Sequence, residues 1–262
     1  MPSWDAATYL RFATERARPF ADLLARVGAD DDPRFVVDMG CGPGTLTATL
    51  AQRWPGATVV GVDSSAEMVA EAGALGGIDV VQADVRDWTP DRPVDVLVTN
   101  AVLQWVPDRL DLLRSWVGWL APRGWLALQV PGNVAAPSHA LMREVAALPR
   151  FAGRLAGVPR EAPVADALGY AEVLAGAGCT VDAWETTYVH VLDPAGEHGD
   201  DAVLAWVRGT ALRPVLDALD GVPAEGDAFH AEHGARLRTA YPRRPWGTPL
   251  PFRRVFAVAQ RP

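Results

Sequence analysis

The residues best suited to chemistry stand in one run, FVVDMGCGPGTL over residues 35–46. An aspartate, Asp38, is followed by glycines at alternate positions, Gly40, Gly42 and Gly44. Glycine turns with positive φ at little cost and lets a ligand come close to the main chain. Further acids, Asp63 and Asp84, and then Asn100, close the short β-branched runs TVVGVD, IDVVQAD and VDVLVTN. In open α/β sheets ligands bind outside the carboxyl ends of the strands, so these residues make one candidate site.

Two ligand chemistries compete for it. A dinucleotide fingerprint reads G-x-G-x-x-G with an acid about 20 residues on for a ribose. Asp63 lies 19 residues beyond Gly44, which fits, but the glycines read G-x-G-x-G. Asp38 would also repel a pyrophosphate. A ligand with an ammonium for Asp38, a ribose for Asp63 and an adenine amine for Asp84 suits the three acids better. S-adenosylmethionine has all three groups and no phosphate. Cys41, between two of the glycines, is expected to be a small packing residue rather than a nucleophile.

The elements that must position these residues alternate. RFVVDM (34–39), TVVGVD (58–63), IDVVQAD (78–84), VDVLVTN (94–100) and WLALQV (125–130) read as strands. TLTATLAQRW (45–54), SSAEMVAEAGAL (64–75) and DRLDLLRSWVGWLA (108–121) read as helices between them, with Ser64 and Glu67 spaced as a capping box. Such alternation means βαβ units, a mostly parallel sheet and helices on both faces, the doubly wound α/β class. Residues 6–27 have helical spacing broken at Pro19, which predicts two pieces. After Pro131 the rhythm changes: helices are expected at 138–148, 167–177, 201–219 and 226–240, and strands at 180–192 and 252–261.

Composition narrows the function classes. The chain has 262 residues, 49% of them apolar and 21% charged, and a net charge of −8. A phosphate-binding surface needs clustered basic charge, so nucleic acid is not the expected partner. All 24 basic residues are arginine, which is compositional bias and makes no single arginine functional by type. No apolar run is long enough for a membrane helix, and the opening MPSWDAATYLRF does not read as a secretory leader. Two cysteines form no disulfide framework and no residues show zinc-ligand spacing, so a cytoplasmic protein without metal is expected.

On VVDMGCGPG, VVGVDSSAEMV and QADVRDW the chain resembles the class I S-adenosylmethionine-dependent methyltransferases, whose sheet has seven strands. The resemblance implies that Gly40, Cys41 and Gly42 run under the methionine portion, with Asp38 at its ammonium. It places Asp63 and Ser64 at the ribose, Met68 and Val85 about the adenine and Asp84 near its amine. Asn100 follows at the fourth strand's end, and TNAVLQWVPD (99–108) would line the methyl-transfer face with Gln104 and Trp105. Methyl transfer is an in-line displacement in which alignment and desolvation do most of the work. A carboxylate acceptor is already ionised at neutral pH and needs no base, only arginine to grip it.

Beyond those motifs the chain is similar over nearly its whole length to the trans-aconitate methyltransferases. The stretches that carry this include WDAATYLRFATERARP (4–19), LQWVPD (103–108), GWLALQVPGN (124–133), GCTVDAWETTYVH (178–190), WVRGTALRP (206–214) and PFRRVFAVAQ (251–260). The resemblance implies the monomethyl ester of trans-aconitate, a small polycarboxylate, with no general base. Acceptor contacts are expected from Tyr9 and Arg16, which share a helix face, from Gln104 and Trp105, from Tyr188 and His190 on one side of a strand, and from Arg208 and Arg213. One methyltransferase domain is expected. Helices at 1–27 would cover the cofactor, a core at 28–133 would bind it, a helical insertion at 134–250 would face the acceptor, and a final strand would span 251–262. Methylation of another polycarboxylate or specialised metabolite, or a cofactor-binding protein without catalysis, are the alternatives.

Overall fold

The computed structural model describes residues 13–29, 32–158, 163–197, 201–208 and 211–262, with the backbone alone described for 13–16. Seven strands make one sheet: β1 Phe35–Met39, β2 Thr58–Asp63, β3 Asp79–Gln82, β4 Val94–Asn100, β5 Leu120–Pro131, β6 Thr180–Leu192 and β7 Thr248–Gln260. Their order is β3-β2-β1-β4-β5-β7-β6. β3, β2, β1, β4 and β5 run parallel, and β7 joins β5 antiparallel. Strand order reverses direction between β1 and β4, which is where an open α/β sheet forms its binding crevice.

By backbone contacts the chain forms two compact units. The first to consider holds residues 13–131, 164–186 and 254–262. On one sheet face Val37, Met39, Leu97, Leu126, Leu128 and Ala257 are buried in a single cluster with Leu113, Trp116, Tyr170 and Leu174 of the helices Arg109–Trp119 and Ala167–Gly176. Fully burying a side chain of this size stabilises by about 1.5–3 kcal/mol, so this layer anchors the sheet. β1 and β4 are mainly apolar because both of their faces are covered.

The helix Ala13–Leu24 packs on β5, with Phe20, Leu23 and Leu24 buried. It runs through Pro19 instead of breaking there. Proline lacks the N–H for one helical bond, and burial of the apolar residues just after it outweighs that loss. The helix Ala66–Leu75 begins one residue later than the capping pattern implied. Ser65, not Ser64, accepts from the Met68 N–H at 3.4 Å, because Asp63 first turns the chain by accepting the Ser65 N–H at 2.9 Å.

The other unit comprises residues 132–163 and 187–253. Its core gathers Met142, Phe151, Leu155, Trp206, Leu212, Phe229 and Phe252, with the Phe151 and Phe229 rings edge-to-face at 5.2 Å. The helical stretch expected at 201–219 is two helices, Ala202–Arg208 and Arg213–Leu219, the second started by Pro214 in its first turn. No helix among the described residues is long and apolar enough to cross a membrane.

Candidate functional site

β1 delivers Asp38 near its carboxyl end, 3% exposed. Its Oδ2 accepts from the Thr47 hydroxyl at 2.6 Å. Burial pushes the Asp38 carboxyl up from 3.8 to about 7; the Thr47 hydrogen bond works against this and the nearby Asp63 charge adds to it. A buried carboxylate so poised gains from a cationic partner.

The glycine turn is tied to the end of β2. The Gly40 and Cys41 N–H groups donate to Val62 O at 2.7 and 3.1 Å, and the Gly42 N–H donates to Asp63 Oδ2 at 2.9 Å. All three glycines have positive φ, but for different reasons. A Cβ on Gly40 would lie 2.1 Å from Val102 Cγ2, and one on Gly44 2.7 Å from Ala72 Cβ. A Cβ on Gly42 would meet nothing within 4 Å among the described residues. Packing therefore requires Gly40 and Gly44, whereas Gly42 alone leaves open space above the turn. Gly40→Ala combines a left-handed backbone with that overlap, and is expected to destabilise the fold by about 2–4 kcal/mol. A melting temperature equal to that of the unaltered protein would contradict this.

Cys41 is buried against Gly61, whose own Cβ would lie 2.9 Å from the thiol sulfur. Burial, then the charges of Asp38 and Asp63, push the thiol far above the ordinary range, so it stays protonated and packs. Asp63 uses both oxygens, accepting from Gly42 and Ser65. Met68 and Val85 are buried, at 4% and 8% exposure. Asp84 is held by Arg86, whose Nε and Nη2 donate to its two oxygens at 2.8 and 2.6 Å. The Arg86 hydrogen bond keeps this carboxyl below its usual range. Any adenine amine would share the carboxylate with that arginine.

After β4 the chain turns at Ala101, a non-glycine residue with φ 59°, whose N–H donates to Gln129 O at 2.9 Å. Strain of this kind concentrates where a site over-determines the backbone. The short 3-10 turn Leu103–Trp105 follows. Gln104 is 4% exposed, donates to Ala101 O at 2.7 Å and leaves Oε1 without a hydrogen-bond partner among the described residues. Asn100 Oδ1 is likewise orphaned and buried. Trp105 beside it is half-buried.

The acceptor residues expected elsewhere are placed as follows. Tyr9, and the side chain of Arg16, lie outside the described residues. Tyr188 and His190 are buried, the His190 ring stacked on Trp206 at 4.9 Å and 5.8 Å from Phe252. Arg208 is exposed at its helix end. Arg213 pairs with Asp217 one turn on, Nε to Oδ1 at 2.8 Å.

Three side chains of the first unit were not anticipated from the sequence. Thr47 is the hydroxyl on Asp38; Gln129 and Arg254 are buried polar groups on the same sheet face. A lone amide in the apolar run WLALQV was the available signal for Gln129. A separate pocket lined by Asp32, Arg34, Asp95 and Trp125 sits at the opposite, amino-terminal ends of the strands, where Asp95 accepts the Arg34 and Phe35 N–H groups.

The geometry fits S-adenosylmethionine: a buried acid for its ammonium, orphaned carbonyl oxygens at Asn100 and Gln104, open space over Gly42 and an acid at the end of β2. An ammonium placed at Asp38 would stabilise the ionised carboxylate, and binding would then release a proton below pH about 7. Affinity for S-adenosylhomocysteine, which keeps that ammonium, is expected to fall as pH drops from 8 to 6, approaching tenfold per pH unit below 7. Titration calorimetry at three pH values checks this, and a flat profile would separate Asp38 from the ligand.

Residues 12–183 match a family model described as a methyltransferase domain. A trans-aconitate 2-methyltransferase of Streptomyces coelicolor is 56% identical, covering 100% of this chain and 88% of that relative. One of Rhodococcus jostii is 53% identical over 98% of this chain and 99% of its own. Among solved structures, coclaurine N-methyltransferase bound to S-adenosylhomocysteine matches with a TM-score of 0.57 at 15% identity, over 94% of this chain and 72% of that one. At that identity the match speaks for the fold alone.

Proposed function

The chain belongs to the trans-aconitate 2-methyltransferase family, and from that premise we propose that it methylates one carboxylate of trans-aconitate to give the monomethyl ester. It is an S-adenosylmethionine-dependent methyltransferase. When bound, that cofactor supplies an electrophilic methyl group on a sulfonium. The observation that carries the substrate reading is likeness at this level along the entire chain, outside the cofactor motifs as well as within them.

Each residue has a task consistent with that chemistry. Asp38 meets the ammonium and Asp63 the ribose hydroxyls, and the backbone at Gly42 admits the ligand because no described residue fills the space above it. Met68 and Val85 supply apolar surface for the adenine. Gln104 and Trp105 stand at the strand ends where the methyl group must be presented, Gln104 with an oxygen still to satisfy. The acceptor oxygen arrives ionised, since a carboxylate of this type has a pKa of about 4, so no residue need remove a proton. Bringing an anion to a cationic sulfur out of bulk water strengthens their attraction, and the remaining contribution is alignment.

The test is release of S-adenosylhomocysteine with trans-aconitate, cis-aconitate, citrate, isocitrate and itaconate in parallel. Preference for trans-aconitate is expected. Equal or faster turnover of another acid would move the substrate assignment, and turnover of none would remove it.

A further inference from the structure

Three buried side-chain atoms at the carboxyl ends of β4 and β5 have no hydrogen-bond partner among the described residues: Asn100 Oδ1, Gln104 Oε1 and Gln129 Nε2. The register places two of them side by side. Asp38, Val98 and Ala127 are partners across β1, β4 and β5, and Asn100 is the partner of Gln129 two residues further on. All five therefore share one face of the sheet. Adjacent strands lie about 4.8 Å apart, so Asn100 and Gln129 are neighbours, yet neither satisfies the other.

Chemistry fixes the sign of two of these orphans. Gln129 Oε1 accepts from Arg254 Nη1 at 3.0 Å. A guanidinium only donates, so whatever else it holds, the remaining end of this amide is the NH2. Gln104 donates from Nε2 to Ala101 O at 2.7 Å. A carbonyl only accepts, so the remaining end of that amide is the oxygen. The orphans therefore divide between the strands, with oxygens at and after β4 and an N–H donor on β5. Buried polar groups are rarely left unmet without a reason. A cation on the β4 side and an anion on the β5 side would satisfy both sets, and transfer from a sulfonium to a carboxylate brings those two charges together. Gln129 lies two strands from Asp38, roughly 10 Å sideways and about 7 Å further along. A ligand with its ammonium at Asp38 passes Asn100 before it reaches Gln129, which puts Gln129 on the acceptor side.

We propose that Gln129 binds the carboxyl group that is methylated, its Nε2 donating to the oxygen that becomes the ester carbonyl. The other oxygen of that carboxylate attacks the methyl carbon, the carbon–sulfur bond breaks with its electron pair left on sulfur, and no proton moves. A neutral donor suits the first oxygen, which accepts a hydrogen bond in the carboxylate and still accepts one in the ester. The contact therefore lasts through the loss of charge, and it aims the attacking oxygen by holding its neighbour. The inference rests on the trans-aconitate reading above, and adds the residue that selects the reacting carboxyl.

The experiment compares Gln129→Glu and Gln129→Met with the unaltered full chain, melting curves showing which variants fold. It reads kcat/KM for trans-aconitate, the position of the methyl ester and S-adenosylhomocysteine affinity. Gln129→Glu keeps an oxygen for Arg254 Nη1 and puts an acceptor where the donor stood. Gln129→Met is close in length and has no donor. We expect kcat/KM to fall at least about thirtyfold in Gln129→Glu and about tenfold in Gln129→Met. More than one monomethyl ester is expected where the unaltered protein makes one, with S-adenosylhomocysteine affinity within about threefold. A folded variant that keeps kcat/KM within about threefold and makes the same single ester overturns the proposal while the substrate reading stands. Loss in Gln129→Glu alone would assign the effect to charge and overturn the donor. An equal fall in S-adenosylhomocysteine affinity would move Gln129 to the cofactor, and overturns it too. If the unaltered protein methylates a different acid of the panel, the substrate reading falls alone and the variants are compared on that acid. If it methylates none, both fall.

Discussion

Asp63→Ala is expected to raise the dissociation constant for S-adenosylhomocysteine by at least about a hundredfold, and with it to remove turnover. Two losses combine. The carboxylate closes β2 by accepting the Gly42 and Ser65 N–H groups, so it holds the glycine turn and the start of the following helix at once. In the proposed cofactor pose it also receives the ribose hydroxyls, and each hydrogen bond to a charged acceptor contributes about 1.5–3 kcal/mol. Asp63→Asn separates the two: one oxygen remains, but the amide NH2 faces a backbone donor, so an intermediate loss is expected. Titration calorimetry on both variants, with melting curves to show that they fold, is the measurement. Wild-type affinity in folded Asp63→Ala would sink the ribose assignment.

Asp38→Asn should do something less usual, weakening function while strengthening the fold. The rise of the Asp38 carboxyl from 3.8 to about 7 means that the folded protein disfavours its charged form. That difference corresponds to about 4 kcal/mol above pH 7, taken as an order of magnitude. The sign follows from proton binding: between pH 3.8 and about 7 the folded state holds a proton that the unfolded state has released, so stability falls as pH rises through that window. Asparagine keeps an oxygen for the Thr47 hydroxyl and carries no charge to bury. Its melting temperature is expected to exceed that of the unaltered protein at pH 8 and to match it near pH 3.5. Cofactor affinity is expected to fall about a hundredfold, since in the proposed pose Asp38 is the ammonium's buried counter-charge. A variant at pH 8 that is neither more stable nor weaker in binding would contradict both parts.

Much of this was legible in the sequence, for physical reasons that can be named. Strands buried on both faces write themselves as continuous β-branched runs, which is why FVVDM and VDVLVTN are read directly and why acids at their ends stand out. β6 was legible to the residue because alternation along TVDAWETTYVHVL is a period only a strand satisfies. Breaks were less legible. Pro19 reads as a stop but is carried by the buried residues after it, and Ser64 reads as a cap but yields to Ser65 because Asp63 has already turned the chain.

The site was legible as a set of residue types and not as a set of causes. Three glycines suggest one role, yet Val102 and Ala72 demand two of them and only Gly42 faces open space. Thr47 carries no signal in a helical stretch, although its hydroxyl donates to Asp38. Arg213 is expected near the acceptor, and the structure pairs it with Asp217 one turn on. Gln129 and Arg254 lie about 125 residues apart in the chain and become a pair only when β7 returns antiparallel beside β5. Contacts of that range depend on register, which composition and periodicity do not carry.

The most direct measurement is to follow an isotopically labelled methyl group from S-adenosylmethionine into the product formed with trans-aconitate, and then to treat that product with base. A carboxyl O-methyltransferase yields a monomethyl ester by mass, and base returns the label as methanol together with free trans-aconitate. Label that stays on the product through base treatment, as an ether or N-methyl group would, or no transfer to the acid at all, would contradict carboxylate methylation at this site.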